Sequence, residues 1–300
     1  MQSNHIITVL SSDEGIRFLK NNLNNNPNDL ALKYAGKTKF DLKTALSLLG
    51  IYKKAAKKIP VVTDNFLAID QRSYEQSTSQ KVAQFKAKFI RGKHLLDLTA
   101  GIGIDSIYLS QNFEQIEAVE INKTLHQLAS FNLKKLGITN VKRIHGDSFE
   151  LLSGKLYDWI YIDPDRRING KRAVDLNYLE PDVLGNLALI KKSASKVYIK
   201  LSPLFDLSEI ARCFKQLNAI YLIAEKNELK EVGVFIDYSI QSEVNNVTIN
   251  LIDVSTNFSV AFSFDEYLTR KKHIYKTGYN KFLHSPSVLV AKSSCFYFFT

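Results

Sequence analysis

Two glycines and two carboxylates lie close together in the segment 94–105, which reads His-Leu-Leu-Asp-Leu-Thr-Ala-Gly-Ile-Gly-Ile-Asp. Gly101 and Gly103 can adopt positive φ, and their lack of a side chain lets a ligand approach the backbone. The amides that follow open a predicted helix and point toward whatever is bound. Asp97 and Asp105 place negative charge on both sides of the glycines. These residue types at this spacing are typical of a loop that binds a nucleotide-type cofactor.

The loop also indicates which cofactors fit poorly. A dinucleotide-binding loop would have a third glycine at position 106, where this chain has Ser106, and the loop contains no Gly-Lys-Ser/Thr of a P-loop. A ligand with an ammonium and a sulfonium group gains more from carboxylates than a pyrophosphate does, because opposite charges attract in a partly dry cleft. The loop resembles motif I of the class I S-adenosylmethionine-dependent methyltransferases.

Predicted strands and helices must position this loop. The apolar run Leu95, Leu96 and Leu98 has no helical spacing and stops at the loop, which indicates a buried parallel strand. The pattern then predicts a helix over 104–111, strand 116–121, helix 123–136, strands 141–145, 157–162 and 196–201, helix 206–217, and strands 220–224 and 232–238. Alternation of this kind is the doubly wound pattern of an α/β protein.

Acidic residues follow three successive predicted strands. Asp97 ends the first, Glu120 closes the second, and Asp147-Ser148 follows the third. A carboxylate at position 120 can accept hydrogen bonds from both ribose hydroxyls of an adenosine, and Asp147 is placed to accept a hydrogen bond from the adenine amino group. Each residue alone is more often a loop cap. Together they lie at the edge where open α/β sheets bind ligands.

The fourth predicted strand runs into Asp163-Pro164-Asp165-Arg166-Arg167, at the position of the methyltransferase catalytic motif. Amino-methylating nucleic-acid enzymes of this superfamily have a second proline and an aromatic residue where this chain has Asp165 and Arg166, so base stacking here is not predicted. If the acceptor is an amine, Asp163 would hold it with its lone pair toward the methyl group. Arg166 and Arg167 either clamp an anionic group of the substrate or bridge to Asp165 or Asp175.

Five motifs together resemble the bacterial class I methyltransferases that carry a THUMP-like C-terminal domain. They are Glu-Gln-x-x-Ser (75–79), Asp-Leu-Thr-Ala-Gly-x-Gly-x-Asp (97–105), Asp-Pro-x-Arg-Arg (163–167), Lys-Leu-Ser-Pro (200–203) and Asn-Glu-Leu-Lys-Glu (227–231). The resemblance spans most of residues 70–240 and implies S-adenosyl-L-methionine as cofactor. It implies cofactor binding by Gln76, Asp97, Thr99, Ala100, Gly101, Gly103, Asp105, Glu120, Ile121, Asp147, Ser148 and Asp163, and catalysis by Asp163, Pro164, Arg166, Arg167, Lys200 and Ser202.

The same resemblance implies the fold class. We expect an α/β protein with the Rossmann-like, seven-stranded sheet of class I methyltransferases, in the strand order 3-2-1-4-5-7-6. The expected parts are a helical N-terminal lobe over 1–70, a methyltransferase domain over 71–245, and a small α+β, THUMP-like C-terminal piece over 246–300 that is abbreviated. Ser77 or Thr78 is the expected N-cap of the helix before the glycine loop.

Basic residues indicate the partner. The formal net charge is +10, which favours an anionic partner, and a nucleic acid is favoured over a membrane. The alternative is that the lysines are only the solvated faces of helices. A helical pattern over 41–58 ends in Lys53, Lys54, Lys57 and Lys58, whose spacing suits phosphate binding, although cations at a helix C-terminus need no ligand. A further basic segment covers 270–281. RNA, either rRNA or tRNA, is the expected partner.

Length and composition exclude several classes of protein. With 300 residues and 45% hydrophobic content the chain can bury a full core, and it has no apolar run that approaches membrane-spanning length. Cys213 and Cys295 are far apart and in no metal-like spacing, and the start lacks a signal-peptide pattern. We therefore expect a cytoplasmic protein with no membrane or metal partner.

Three functions are compatible with these observations. A methyltransferase that acts on RNA leads, with in-line transfer of a methyl group from sulfonium to a nucleophile. A methyltransferase for a protein or a small anionic metabolite is second. A catalytically silent protein that binds S-adenosylmethionine and RNA is third. A covalent route through cysteine is not predicted, because neither cysteine lies on the catalytic loop.

Overall fold

The computed structural model of the chain describes residues 2–152, 154–166, 175–240, 247–269 and 287–293, without the side chains of Gln2 and Arg166. It divides into two compact units, Met1–Ser153 (unit 1) and Gly154–Thr300 (unit 2). The expectations for Arg167, for Cys295 and for the basic segment 270–281 fall outside the described residues.

Unit 1 begins with seven helices, and two more connect its strands. They are α1 (Gln2–Ser11), α2 (Asp13–Asn22), α3 (Pro27–Tyr34), α4 (Leu42–Lys58), α5 (Pro60–Asp64), α6 (Gln71–Gln76), α7 (Gln80–Ala87), α8 (Ile104–Leu109) and α9 (Lys123–Lys135). Short polar side chains start several of them: Ser12 caps α2, Asp41 caps α4 and Asp70 caps α6, each by accepting a hydrogen bond from a backbone amide. These caps satisfy amides that the helix itself leaves unpaired.

Three parallel strands make up the sheet of unit 1. They are β1 (Gly92–Asp97), β2 (Phe113–Glu120) and β3 (Val141–His145), with β2 between the other two. Leu95 and Leu96 are fully buried, which explains why β1 reads as a continuous apolar run. The order is the one predicted for these strands. Parallel pairing also brings their carboxyl ends to one edge of the unit, because Asp97 lies opposite Ala118 and Glu120 lies opposite His145.

Unit 2 contains eight strands and four helices among its described residues. The strands are β4 (Tyr157–Ile162), β5 (Asp165–Arg166), β6 (Leu179–Glu180), β7 (Ala194–Leu201), β8 (Ala219–Glu225), β9 (Glu228–Asp237), β10 (Thr248–Asp253) and β11 (Phe258–Ser263), and the helices are α10 (Leu187–Ser193), α11 (Leu207–Cys213), α12 (Phe264–Thr269) and α13 (Val288–Ser293). Six strands lie in the order β11-β10-β8-β9-β7-β4, while β5 and β6 form a separate antiparallel pair. The part β4-β7-β9-β8 has the predicted order 4-5-7-6.

The predicted strand count was wrong. Over the described residues the main sheet has nine strands, three in unit 1 and six in unit 2, and not seven. The two additional strands come from the segment assigned to the C-terminal piece: β10 pairs in parallel with β8, and β11 pairs antiparallel with β10. Without β10 the edge of β8 would expose unpaired backbone groups, and β10 also buries Ile249 and Leu251 completely.

The described helices include none that combines the length and apolarity needed to cross a bilayer. Within the same residues, no group of three or more His, Cys, Asp or Glu side chains is arranged to hold a metal ion.

Candidate functional site

The glycine loop joins β1 to α8 in unit 1. Gly101 and Gly103 have φ values of 51° and 88°, in the left-handed region that glycine adopts without a steric penalty. The amide of Ala100 donates to the carbonyl of Val119 at 2.9 Å and the amide of Gly103 donates to that of Ala100 at 2.8 Å, so the loop is tied to β2 and closed on itself. A Cβ atom at Gly101 would meet nothing within 4 Å. The backbone there borders open space.

Asp97 is enclosed beneath this loop. The residue is only 1% exposed, and its carboxylate accepts hydrogen bonds from Ser106 Oγ at 2.6 Å and from the Thr99 amide at 3.2 Å. Ser106 stands where a dinucleotide loop would have its third glycine, and its hydroxyl supports Asp97. Burial raises the pKa of Asp97 to about 7, against the opposing effects of these hydrogen bonds and of Arg143. The expected direct contact of Asp97 with a cationic cofactor stays a prediction.

Replacing Asp97 with asparagine is expected to stabilise the protein above pH 7. The ordinary pKa of this carboxyl is 3.8, so between about pH 4 and pH 7 the unfolded chain releases a proton that the folded protein retains, and the free energy of unfolding falls as pH rises. Asp97→Asn removes this loss, which is on the order of 4 kcal/mol above pH 7 and vanishes below pH 4. Urea unfolding across that pH range measures the difference. Asp147→Asn, at an exposed position, is the control, and equal stability of Asp97→Asn and wild type at pH 8 would contradict the argument.

Asp105, at the start of α8, forms a buried ion pair. Lys86 Nζ lies 2.9 Å from Asp105 Oδ1, and the Lys86 side chain is completely buried. Thr78 Oγ1 donates to Asp105 Oδ2 at 2.7 Å. Because Thr78 is used here, the N-cap of α7 is Ser79, which accepts from the Val82 amide, and not Ser77 or Thr78 as predicted. Asp105 thus joins the segment before β1 to the glycine loop.

Glu120 and its neighbours line the carboxyl edge of β2 and β3. Glu120 is 9% exposed, and its Oε1 accepts from the Asn122 amide at 2.7 Å. The next residue, Ile121, is 73% exposed, which leaves an apolar surface beside this carboxylate. Asp147 is exposed and accepts from the Phe149 amide at 2.9 Å, while Ser148 is buried. Glu120, Ile121 and Asp147 therefore occupy one edge of unit 1, and their contacts with a cofactor stay a prediction.

Arg143 is a component of this region that the sequence analysis missed. Its Nη2 donates to the carbonyl of Gly101 at 2.8 Å, while Nε and Nη1 are buried and have no hydrogen-bond partner among the residues that the structure describes. Burial lowers the pKa of Arg143, and the charges of Asp97 and Glu120 oppose that effect. A cationic residue thus lies under a loop flanked by carboxylates. An arginine in the middle of the predicted strand 141–145 was the signal that could have identified it.

Gln76 lies apart from these residues in its described contacts. It ends α6, is exposed, and accepts a 3.3 Å hydrogen bond from Arg72 Nε. No described hydrogen bond joins it to the glycine loop. A role of Gln76 toward the cofactor rests on the family resemblance alone.

Asp163 and Lys200 form an ion pair in unit 2. Ile162 lies opposite Ile199 in the parallel pairing of β4 and β7. Asp163 follows Ile162 and Lys200 follows Ile199, so these two residues are neighbours. Lys200 Nζ lies 2.5 Å from Asp163 Oδ2, and the two side chains are 14% and 34% exposed, respectively. Ser202 is half-buried and accepts from the Leu204 amide at 3.3 Å. The structure therefore brings together two of the predicted catalytic residues.

The remaining residues of the catalytic motif are only partly described. Pro164 is buried, and Arg166 pairs with Leu179 through the backbone of β5 and β6. Asp175, which was considered as a partner of the arginines, accepts from the backbone and side-chain amides of Asn177 through Oδ1, at 2.9 and 2.7 Å. The choice between substrate clamping and an internal bridge stays open.

Two of the four lysines at the end of α4 bind the protein itself. Lys53 Nζ donates to the carbonyl of Asn25, and Lys58 Nζ donates to the carbonyls of Tyr74 and Glu75 at 2.8 and 3.0 Å. Lys54 and Lys57 are exposed and have no hydrogen bond or ion pair among the described residues. Any phosphate contact from this end of the helix would therefore depend mainly on Lys54 and Lys57.

The strand order and the glycine loop define an α/β protein with a mixed sheet. No protein-family model matches the chain, and no curated protein matches it. Among solved structures, a proposed methyltransferase from Porphyromonas gingivalis W83 is similar over 93% of this chain and 71% of its own, with 24% identity and a TM-score of 0.77. This similarity shows a shared fold.

More distant similarities were also found. A proposed class I S-adenosylmethionine-dependent methyltransferase from Listeria monocytogenes is similar over 85% of this chain and 93% of its own, with 12% identity and a TM-score of 0.47. A proposed methyltransferase from Streptococcus mutans in complex with SAH matches over 52% and 94%, with 13% identity and a TM-score of 0.39.

Proposed function

We propose that this chain is an S-adenosylmethionine-dependent methyltransferase that acts on RNA, either rRNA or tRNA. One observation carries the proposal. In unit 1 a positive-φ glycine loop with open space at Gly101 is followed, at the end of the next strand, by the buried carboxylate Glu120 and the exposed apolar residue Ile121. The shared fold with the proposed methyltransferase from Porphyromonas gingivalis adds support.

Each proposed cofactor residue contacts a different part of S-adenosylmethionine. The backbone at Gly101 and Gly103 admits the methionine part of the cofactor at close range, because no side chain stands there. Glu120 accepts hydrogen bonds from the ribose hydroxyls, and Ile121 contacts the adenine ring. Asp147 accepts a hydrogen bond from the adenine amino group. When bound, S-adenosylmethionine supplies an electrophilic methyl group on sulfonium.

Asp163 and Lys200 are the proposed residues for the acceptor. Asp163 accepts a hydrogen bond from an acceptor amine and thereby orients its lone pair, and Lys200 balances the charge of that carboxylate. Positioning of this kind supplies a large part of the acceleration of an in-line transfer. The binding site for the acceptor is proposed to include four further residues of the sequence motifs 163–167 and 200–203. They are Pro164, Arg166, Arg167 and Ser202.

Calorimetry should detect binding of S-adenosylmethionine and S-adenosylhomocysteine and no binding of NAD. Glu120→Gln should weaken both adenosyl ligands by about tenfold or more, because a hydrogen bond to a charged group contributes about 1.5–3 kcal/mol. Glu114→Gln, at an exposed position of the same strand, is the matched control and should bind like wild type. Tight binding of NAD with no response to either adenosyl ligand would overturn the proposed function.

RNA binding should depend steeply on salt. Each neutralised phosphate releases condensed counterion, so log affinity should fall with log salt by about 0.7 per contact for single strands. Substituting both Lys54 and Lys57 with alanine should weaken all RNAs alike and reduce that slope, since these exposed ammonium groups have no described partner. Filter binding of total cellular RNA across a salt series measures both effects.

The control for the lysine variant removes the same charge elsewhere. Lys192 and Lys215 are exposed residues of unit 2, and their double alanine variant should leave the slope unchanged. An affinity for RNA that does not change with salt concentration would exclude RNA as the partner. Transfer of labelled methyl groups to a protein lysate and not to RNA would then support the protein-substrate alternative, and cofactor binding without any transfer would support the silent one.

A further inference from the structure

A buried polar pair, to which no role has been assigned so far, lies in the sheet of unit 2. Tyr198 on β7 is fully buried, and its hydroxyl donates to Glu231 Oε1 on β9 at 2.9 Å. Glu231 is only 1% exposed. It is the last residue of the Asn-Glu-Leu-Lys-Glu motif, to which no function has been assigned. Burying a carboxylate this deeply costs free energy unless neighbouring groups pair with its charge and donate hydrogen bonds to it.

Strand register places this pair on the same face as Lys200. Tyr198 and Lys200 are two residues apart on β7, so their side chains point to the same side of the sheet. Lys200 lies directly opposite Gly233 on β9, and Glu231 is two residues from Gly233. Glu231 is therefore a diagonal cross-strand neighbour of Lys200, at a spacing that a long side chain can span.

The neighbouring strand continues the same face. Tyr161 on β4 stacks on Tyr198 with ring centroids 5.7 Å apart and planes 9° apart. Asp163 follows Tyr161 by two residues, just as Lys200 follows Tyr198, and the two charged groups pair at 2.5 Å. Two stacked tyrosines thus lie beside the pair of Asp163 and Lys200, and Glu231 lies diagonally across from Lys200 on β9.

Gly233 makes the contact between Tyr198 and Glu231 possible. A Cβ atom at this position would lie 1.9 Å from Tyr198 Oη and 2.4 Å from its Cζ. Glycine weakens a strand interior and is often found where another group approaches closely. Here the approaching group is the tyrosine ring, which crosses β9 at Gly233 and brings its hydroxyl to Glu231.

On this basis, and resting on the proposed function, we infer that Glu231 is a positioning residue that serves as the second carboxylate partner of Lys200. The Lys200 ammonium has three donors and binds Asp163 in the structure. When Asp163 accepts a hydrogen bond from the acceptor, Lys200 loses part of its counter-charge in a largely buried position. Glu231, held in place by Tyr198, supplies the replacement and keeps Lys200 beside Asp163.

Chemical labelling tests this arrangement without any methyl acceptor. Brief acetylation with acetic anhydride, followed by mass spectrometry, reports the reactive, neutral fraction of each lysine. Glu231→Gln should raise the labelling rate of Lys200 about threefold or more, because removing a nearby negative charge favours the neutral amine and a change of about half a pKa unit alters the neutral fraction about threefold. Lys196, which lies 3.8 Å from Asp237, serves as the internal reference and should not change.

Asp237→Asn is the matched control variant. Asp237 is a buried carboxylate at the other end of the same strand, so its neutralisation should raise labelling of Lys196 and leave Lys200 unchanged. Tyr198→Phe should raise Lys200 labelling less than Glu231→Gln does, since the carboxylate remains but loses its fixed position. A folded Glu231→Gln protein in which Lys200 is labelled at the wild-type rate would overturn the inference.

Methyl-transfer kinetics separate this inference from the proposed function. Glu231→Gln should lower kcat about tenfold while calorimetric affinity for S-adenosylhomocysteine stays at the wild-type value, because the variant alters only the acceptor side. A wild-type kcat in this variant would also overturn the inference. Failure of the wild-type protein to methylate RNA, by contrast, would overturn the proposed function, and the labelling rates would still decide whether Glu231 is a partner of Lys200.

Discussion

Asp163→Asn should lower kcat for methyl transfer by about 10²- to 10⁴-fold, the range that a positioned acid or base contributes. Asparagine keeps one carbonyl oxygen but loses the negative charge, so the acceptor amine is held less firmly and Lys200 loses the carboxylate 2.5 Å from its ammonium. Affinity for S-adenosylhomocysteine should change far less than kcat, because the acceptor role dominates. Steady-state transfer of labelled methyl to RNA, with calorimetry beside it, measures both quantities.

The control for this variant is Asp158→Asn, which neutralises a half-buried carboxylate on the same strand, β4. It should retain activity close to that of the wild type. If Asp163→Asn also retained wild-type kcat, the acceptor would have to be held by other residues, and the role proposed for Asp163 would be withdrawn. A parallel loss of cofactor affinity and kcat would instead indicate that Asp163 serves mainly the cofactor.

Lys86→Met should destabilise the protein by about 3–5 kcal/mol, the usual cost of removing one partner from a buried ion pair. The Lys86 and Asp105 side chains are 0% and 12% exposed, and the substitution removes the ammonium that lies 2.9 Å from the Asp105 carboxylate, while Thr78 Oγ1 still donates to that carboxylate at 2.7 Å. Methionine matches the length of the lysine stem, so the loss reflects charge and not a cavity. Urea unfolding at neutral pH measures the change.

A second substitution distinguishes charge from packing. The double variant Lys86→Met with Asp105→Asn removes both charges, keeps an oxygen that can accept from Thr78, and should recover most of the lost stability. Lys81→Met, at an exposed position of the same helix, should be nearly neutral. A double variant no more stable than Lys86→Met would show that the unpaired charge is not the cause.

Local patterns were sufficient for much of the fold and for the outline of the site. The run Leu95 to Leu98, ended by Gly101 and Gly103, identified a buried strand and a positive-φ loop, since a few adjacent residues determine both features. The alternation of strands and helices, read with the family resemblance, also predicted the strand order within each unit. The count failed at β10 and β11, because the pairing of an edge strand depends on which edge is left open and not on the strand's own sequence.

The roles of individual side chains required the tertiary structure. Thr78 contacts Asp105 across 27 residues, Arg143 reaches the Gly101 carbonyl across 42, and Lys200 pairs with Asp163 across 37. The sequence by itself determined that carboxylates and glycines gather at strand ends, because periodicity and turn chemistry are local. Only the packing of distant elements decided which carboxylates are enclosed by the protein and which remain exposed, since that depends on the distance between groups far apart in the chain.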